Sequence, residues 1–429
     1  MQLTKTTDLK GLLTTATCAL LTTNQVSATE TAVDEWQFDT AIMYYGESDR
    51  VTAVEGIVAG QKTFADEQVL NLKVTVDALT GASANGAVAQ PDVQTFTRPS
   101  GNGQYQVKAK QTPLDDTFHD TRLQLTGSWS QPLYHDYTWT VGGNLSKEYD
   151  YLSVSVNSNL ARDFNKKNTT VSAGFSYAFD QIEPEGGLPK ALSEMTVEQF
   201  GSTEFDALFE QTRIGSSDDK NTLDLLLGLT QVINRNTIVQ LNYSYSDVSG
   251  YLTDPFKVVS VVNQQGYSQR AIYEHRPDSR TKHAVFAQLK THFSNTVLDA
   301  SYRYMTDDWQ IDSHTLDLRY HMALNNGHYI EPHIRYYTQT AAEFYTPFII
   351  EGQSINQDIS ADYRIGEMDA YTFGIKYGMP MNSGDSLAFR LEYYRQSPKS
   401  DGTAAVGVLN DVELYETIDA VIAQVSYSF

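Results

Sequence analysis

The sequence predicts an all-β chain, closed as a transmembrane antiparallel β-barrel of about 16 strands with short periplasmic turns and long extracellular loops. Three observations predict it. Segment after segment alternates apolar and polar residues with a period of two. The links between segments are sorted, short ones alternating with long ones. Nowhere is there a run of about 20 apolar residues from which a membrane-crossing helix is built. Composition agrees: 27 Tyr and 18 Phe supply strand formers, and a mean hydropathy of −0.39 is too polar for helical spans.

The chain opens on an expected export signal. Lys5 and Lys10 give a basic start, Gly11 to Leu21 a modestly apolar core, and Val26-Ser27-Ala28 a small-residue cleavage site. Residues 1–28 are therefore expected as a signal peptide and 29–429 as the barrel. The single cysteine, Cys18, falls in the removed part, and Thr15-Ala16-Thr17 before it makes a poor lipid-anchor site. A barrel closed by hydrogen bonds needs no disulfide.

In the first strand Trp36, Phe38, Thr40, Ile42 and Tyr44 alternate with Gln37, Asp39 and Ala41, and Glu47 to Arg50 reverse it. Leu70, Leu72, Val74 and Val76 make a third strand of the same kind. Leu152 to Leu160, Val171 to Phe179, Leu223 to Leu229 and Val239 to Tyr245 continue it, with Asn165 to Asn168 and Asn234 to Asn236 as tight turns. By this rule strands fall at 34–46, 50–62, 67–80, 120–131, 137–147, 151–163, 167–180 and 219–233. The second half adds 236–249, 282–293, 295–308, 310–323, 327–340, 368–380, 385–397 and 414–429. Sixteen is an even number, which returns both ends to one side, as bacterial barrels require.

Long links at 81–119, 181–218, 250–281 and 341–367 alternate with short ones such as Ser294-Asn295 and Asn382 to Asp385. Tyrosines near strand ends, among them Tyr44, Tyr302, Tyr336 and Tyr393, suit interfacial girdles, although some are expected to be ordinary packing. The final strand alternates Val421, Ala423, Val425 and Tyr427 with small polar residues and stops at Phe429. Tyr427 and Phe429 resemble the terminal signal that the barrel-assembly machinery reads, and the strand is expected to close on Trp36 to Tyr44.

The net charge of −22 excludes a nucleic-acid partner, which needs basic clusters. In a barrel, surplus carboxylates favour cations or simply solvate the loops. The expected lumen wall is an ionic ladder. Asp317, Arg319 and His321 face inward and, across a turn ending at Gly327, pair with Arg335, His333 and Glu331. Lys290, His292, Asp299 and Arg303 face the same space. Such a ladder narrows a pore and selects ions, or neutralises itself across strands and only orders a wet lumen. Metal binding by His321 and His333 lacks a spacing motif.

The first long loop is rich in turn-demanding residues (Gly81, Gly86, Pro99, Gly101, Gly103), so an ordered loop folding into the lumen is expected. Its Asp115, Asp116, His119 and Asp120 are either a divalent-cation site or a solvated acidic stretch. No Ser, His and acid grouping, Gly-x-Ser-x-Gly or phosphate-cradling loop stands out. No catalytic residue, cofactor or metal is expected, and the chain is not read as an enzyme.

Tyr44-Tyr-Gly-Glu-Ser-Asp-Arg50, Asp77 to Ser83 with Asn85-Gly86, Gln94 to Gly101, Glu148-Tyr-Asp-Tyr151 and Ala161 to Asn165 together resemble a family of Gram-negative outer-membrane proteins known only as a domain of unknown function. Tyr251 to Lys257, Tyr273 to Arg280 and Tyr304 to Trp309 extend the resemblance over nearly the whole mature chain. It implies an exported barrel and brings no activity, ligand or catalytic residue. The expected role is a channel or transporter for small polar or cationic solutes, with outer-membrane lipid and the assembly machinery as partners. The alternatives are a plugged barrel that anchors a lipoprotein or periplasmic partner, and, less favoured, an outer-membrane enzyme.

Overall fold

The computed structural model describes residues 35–48, 50–381, 384–400 and 402–429. The expected signal peptide at 1–28 with Cys18, Asp49 of the first turn and Asn382 of the turn before Asp385 lie outside the described residues.

Sixteen strands close into one antiparallel barrel in which spatial neighbours are sequence neighbours. They are β1 (Trp36–Glu47), β2 (Val51–Thr63), β3 (Val69–Ala84), β4 (Leu114–Tyr134), β5 (Tyr137–Lys147), β6 (Tyr151–Phe164), β7 (Thr169–Ile182) and β8 (Asp218–Asn234). The second half comprises β9 (Thr237–Gly250), β10 (Ser279–Phe293), β11 (Thr296–Asp307), β12 (Asp312–Ala323), β13 (Tyr329–Gln339), β14 (Met368–Pro380), β15 (Ser386–Pro398) and β16 (Ile418–Ser428). Every expected strand is present. The largest difference is β4, which at 21 residues begins six before its expected start. That extension pairs Leu114 and Asp115 with Ala84 and Ser83 past a bulge after Gly81, and it carries no apolar row for periodicity to detect.

Register sorts the side chains. Outward rows such as Val171, Phe175 and Tyr177 on β7 and Leu225, Leu227 and Leu229 on β8 stay exposed, with Ile42 66% and Leu227 57% accessible. A contiguous apolar belt around a closed sheet is a lipid-facing surface. Among the described residues no helix is long and apolar enough to cross a membrane. The fold is that of an outer-membrane barrel.

The seam closes as expected. Ile42 faces Val425 and Thr40 faces Tyr427, and Phe38 and Phe429 exchange both backbone hydrogen bonds, at 2.7 and 2.9 Å. The Phe38 and Phe429 rings stack 5.4 Å apart.

The long links build a cap over one mouth. Gln94–Thr97 pairs with Gln104–Val107. Val258–Val262 pairs with Ser268–Tyr273 and, in parallel, with Phe348–Ile350. A helix, α1 (Thr203–Gln211), starts where the Ser202 hydroxyl accepts the Phe205 N–H at 3.0 Å. Among the described residues the compact apolar clusters all lie in this cap and its rim, with Val259, Val262 and Leu409 inaccessible or nearly so. The loop at 81–119 contributes Ala87, Val88 and Phe96 to them, so it is ordered, but as one of several parts of the cap.

Candidate functional site: a capped and charged lumen

The ladder forms on the inner wall of β10 to β15. Arg319 lies opposite His333 and Asp317 opposite Arg335, in the register that the turn at Asn325–Gly327 sets. Side-chain contacts differ from a simple rung pattern. His333 is held between Asp317 (Nε2 to Oδ2, 3.0 Å) and Glu392 of β15 (Nδ1 to Oε1, 2.9 Å), while Arg319 takes the other Asp317 oxygen at 3.4 Å. His321 meets Glu331 at 3.3 Å, and Lys290 meets Asp299 at 3.9 Å. His292 lies inward beside the short-turn mouth, opposite Val297. Both His333 nitrogens and one of His321 are engaged with carboxylates. Glu392 escaped sequence reasoning because β15 reaches this row only through β14, and the long link between β13 and β14 sets no register.

The lumen is electrically divided. Strands β10 to β15 turn Arg280, Lys282, Lys290, Arg303, Arg319, Arg335, Lys376 and Arg390 inward, against Asp299, Asp307, Asp317, Glu331 and Glu392. The arc β1 to β8 turns Asp39, Glu47, Glu55, Asp77, Asp163, Asp180 and Asp224 inward, against Lys73, Arg122 and Lys220. Cations exceed anions on one arc and anions exceed cations on the other. Accessibility of this wall rises toward the short-turn end: Lys290 is 51% exposed, whereas Asp307, under the cap, is inaccessible.

The cap is held by a buried ionic network. Arg276 donates to Glu274 at 2.6 Å and to Asp362 at 2.7 Å. Arg364 donates to Asp254 at 2.5 Å and also grips Asp362. Ser360 donates its hydroxyl to Glu274, and the Lys257 ammonium donates to the Ala84 carbonyl, tying the cap to the end of β3. Burial raises the Glu274 carboxyl and lowers the Lys257 ammonium from their usual ranges. Burial would also raise Asp362, but Arg364 and Arg276 outweigh it and hold that carboxyl well below the ordinary range. Gln339, inward on β13, donates to the carbonyls of Arg364 (3.1 Å) and Gly366 (2.7 Å), so this segment docks on the barrel's inner wall.

The acidic loop residues are dispersed. Arg98 takes Asp115 at 3.4 Å and Asp116 at 3.2 Å, and His119 lines a cavity of about 530 Å³ with Asp115, Asp120, Asp254 and Lys257. Asp120 instead joins Glu148 and Asp150, carboxylates all within 4.8 Å of one another, the one set of described residues arranged to share a cation. Glu148 is buried, and burial together with the Asp120 charge pushes its carboxyl up to about 8. Glu148 and Asp150 belong to a stretch that the sequence marks by its resemblance, without revealing that it meets Asp120.

Several of the segments carrying the resemblance supply members of these features: Asp254, Lys257, Glu274 and Arg276 of the cap network, and Glu148 and Asp150 of the acid trio. A family model described as "Protein of unknown function (DUF3570)" matches residues 10–429. The chain belongs to that family. Nothing among the curated proteins matches it. Among solved structures it is similar to a bacterial polysaccharide outer-membrane secretin, at 8% identity over 92% of this chain and 99% of that one, with a TM-score of 0.45. It is also similar to a mutant of the monoaromatic hydrocarbon channel TodX, at 13% identity over 92% and 91%, with a TM-score of 0.40. A third is the siderophore receptor PirA from Pseudomonas aeruginosa, at 7% identity and a TM-score of 0.40, covering 92% of this chain but only 64% of the receptor.

Proposed function

We propose that this DUF3570 protein is a gated, non-catalytic conduit for small polar solutes in the outer membrane. The observation that carries this reading is a charged, solvent-accessible lumen ending at a cap locked by its own buried ion pairs. A barrel serving only as an anchor has no use for eight inward Arg and Lys side chains on one arc, each of which costs desolvation if packed. The carboxylates of β1 to β8 support cation passage and the opposite arc supports anions. Outer-membrane lipid on the apolar belt and the barrel-assembly machinery at the β1–β16 seam are the partners this reading includes.

Planar-bilayer recording of the purified full chain tests it. The expected record is mostly closed, with discrete openings of ionic conductance. Silence from both the native chain and a variant whose cap is unlocked, beside a conducting porin control, would remove the conduit and favour the scaffold that holds a lipoprotein or periplasmic partner.

A further inference from the structure

On the cationic arc most charges are matched. Arg280 holds Asp307 through Nε at 2.8 Å and Nη2 at 2.5 Å, and the second Asp307 oxygen accepts the Ile311 N–H at 2.9 Å. Asp317 serves His333 and Arg319. Arg303, Arg335 and Lys376 are the exceptions: among the described residues none is in salt-bridge contact with a carboxylate, but Lys376 lies over the Tyr329 ring at 5.6 Å, whereas Arg303 Nη2 is buried with no hydrogen-bond partner.

Arg303 and Arg335 sit at one depth. Arg303 is four residues from the end of β11 at Asp307, and Arg335 four from the end of β13 at Gln339. Arg303 faces Thr315, which faces Tyr337, two residues from Arg335. With strands about 4.8 Å apart and about 3.3 Å of rise per residue, their Cα atoms are roughly 12 Å apart, within reach of one shared small ligand for two extended arginines. The hydroxyls beside them are committed elsewhere, Tyr337 donating to Gln339 at 2.6 Å and Tyr394 to Gln396 at 3.0 Å.

Two like charges brought together under a cap, with a guanidinium N–H left buried and unmatched, are unfavourable unless an anion joins them. Planar guanidinium forks match carboxylate and phosphate oxygens two at a time. We propose that Arg303 and Arg335 form an oxyanion subsite at the inner end of the lumen, which takes the carboxylate or phosphate group of a small solute arriving from the short-turn mouth. As the solute class of the conduit it rests on that reading, but binding needs no current and is tested separately.

Calorimetric titration of the detergent-purified full chain with inorganic phosphate, and in parallel with acetate, decides it. Saturable uptake of at least one of them is expected, and the two arms tell phosphate from carboxylate preference. Affinity should fall at least tenfold in Arg303→Gln/Arg335→Gln and stay within about twofold in Arg235→Gln, an exposed cation in the short link between β8 and β9. Arg303→Lys/Arg335→Lys keeps both charges, and with them the fold, while losing the planar forks; a clear loss of affinity there supplies the same comparison if the Gln pair does not fold. No saturable uptake by the native chain, or equal affinity in the arginine variants, overturns the subsite. Binding without current leaves the subsite and removes the conduit; current without binding does the reverse.

Discussion

Glu148 is the residue whose chemistry departs furthest from what its position in the sequence announces. It lies in the three-residue link between β5 and β6, buried against Asp120. With its carboxyl pushed up to about 8 by burial and by that neighbour, it is protonated in the folded protein at neutral pH and ionised in the unfolded chain. A folded pKa above the unfolded value means stability that is complete below about pH 4 and is lost as pH rises toward 8. The rim around β4 to β6 should therefore loosen with rising pH, by an amount on the order of a few kcal/mol. Glu148→Gln should flatten the profile and be the more stable form at pH 9. Hydrogen exchange of residues 114–122 and 148–152 between pH 5 and 9 measures it; parallel slopes in both proteins would show that Glu148 is not the titrating group. The sequence showed the acids in this region, but grouped Asp120 with its chain neighbours Asp115 and Asp116, whereas pairing across β4 and β5 gives it to Glu148.

Strands were legible because each must turn alternate residues to lipid, and that requirement is written locally. The ladder register was legible for the same reason, since a turn of known length fixes which residues face one another. Cap elements such as Val258–Val262 and Phe348–Ile350 are packed on both faces, show no alternation, and pair in parallel between residues 88 apart, Ser260 with Phe348 for one. No local pattern announces such a contact. At the seam the pairing of β1 with β16 spans the whole barrel, and its last two backbone bonds belong to Phe38 and Phe429. Deleting Phe429 removes both bonds and two ring stacks, with Phe38 and Tyr427. Assembly should fall severalfold, read as the heat-modifiable folded band in outer-membrane fractions, while the molecules that do fold keep native phosphate affinity. Normal folded levels without Phe429 would show that the remaining β1–β16 ladder suffices. Asp419, which interrupts the outward row, is answered locally: it accepts from the Tyr393 hydroxyl at 2.5 Å with Arg395 Nε at 3.8 Å, at the rim where a charge costs little.

For the whole molecule the question is whether the cap opens without the barrel. The two are built on different physics. The barrel is a continuous hydrogen-bonded ladder, whereas the cap depends on small apolar clusters and on Glu274, Arg276, Asp362, Arg364 and Asp254 satisfying one another away from water. Removing one member of a buried charge network costs about 3–5 kcal/mol, because its partners keep their charge without compensation. Arg276→Met leaves Glu274 in that state and Asp362 with Arg364 as its remaining cationic partner, and no barrel strand contains any of these residues. The penalty should fall on the cap alone and raise the population of opened caps by two orders of magnitude or more. Single-channel recording should then show long openings where the native protein is mostly closed. Limited proteolysis should cut between residues 251 and 278 while the barrel band stays heat-modifiable. Cleavage without current would mean that a loosened cap still exposes no continuous path, and the lumen would then be a pocket facing the short-turn side and not a passage.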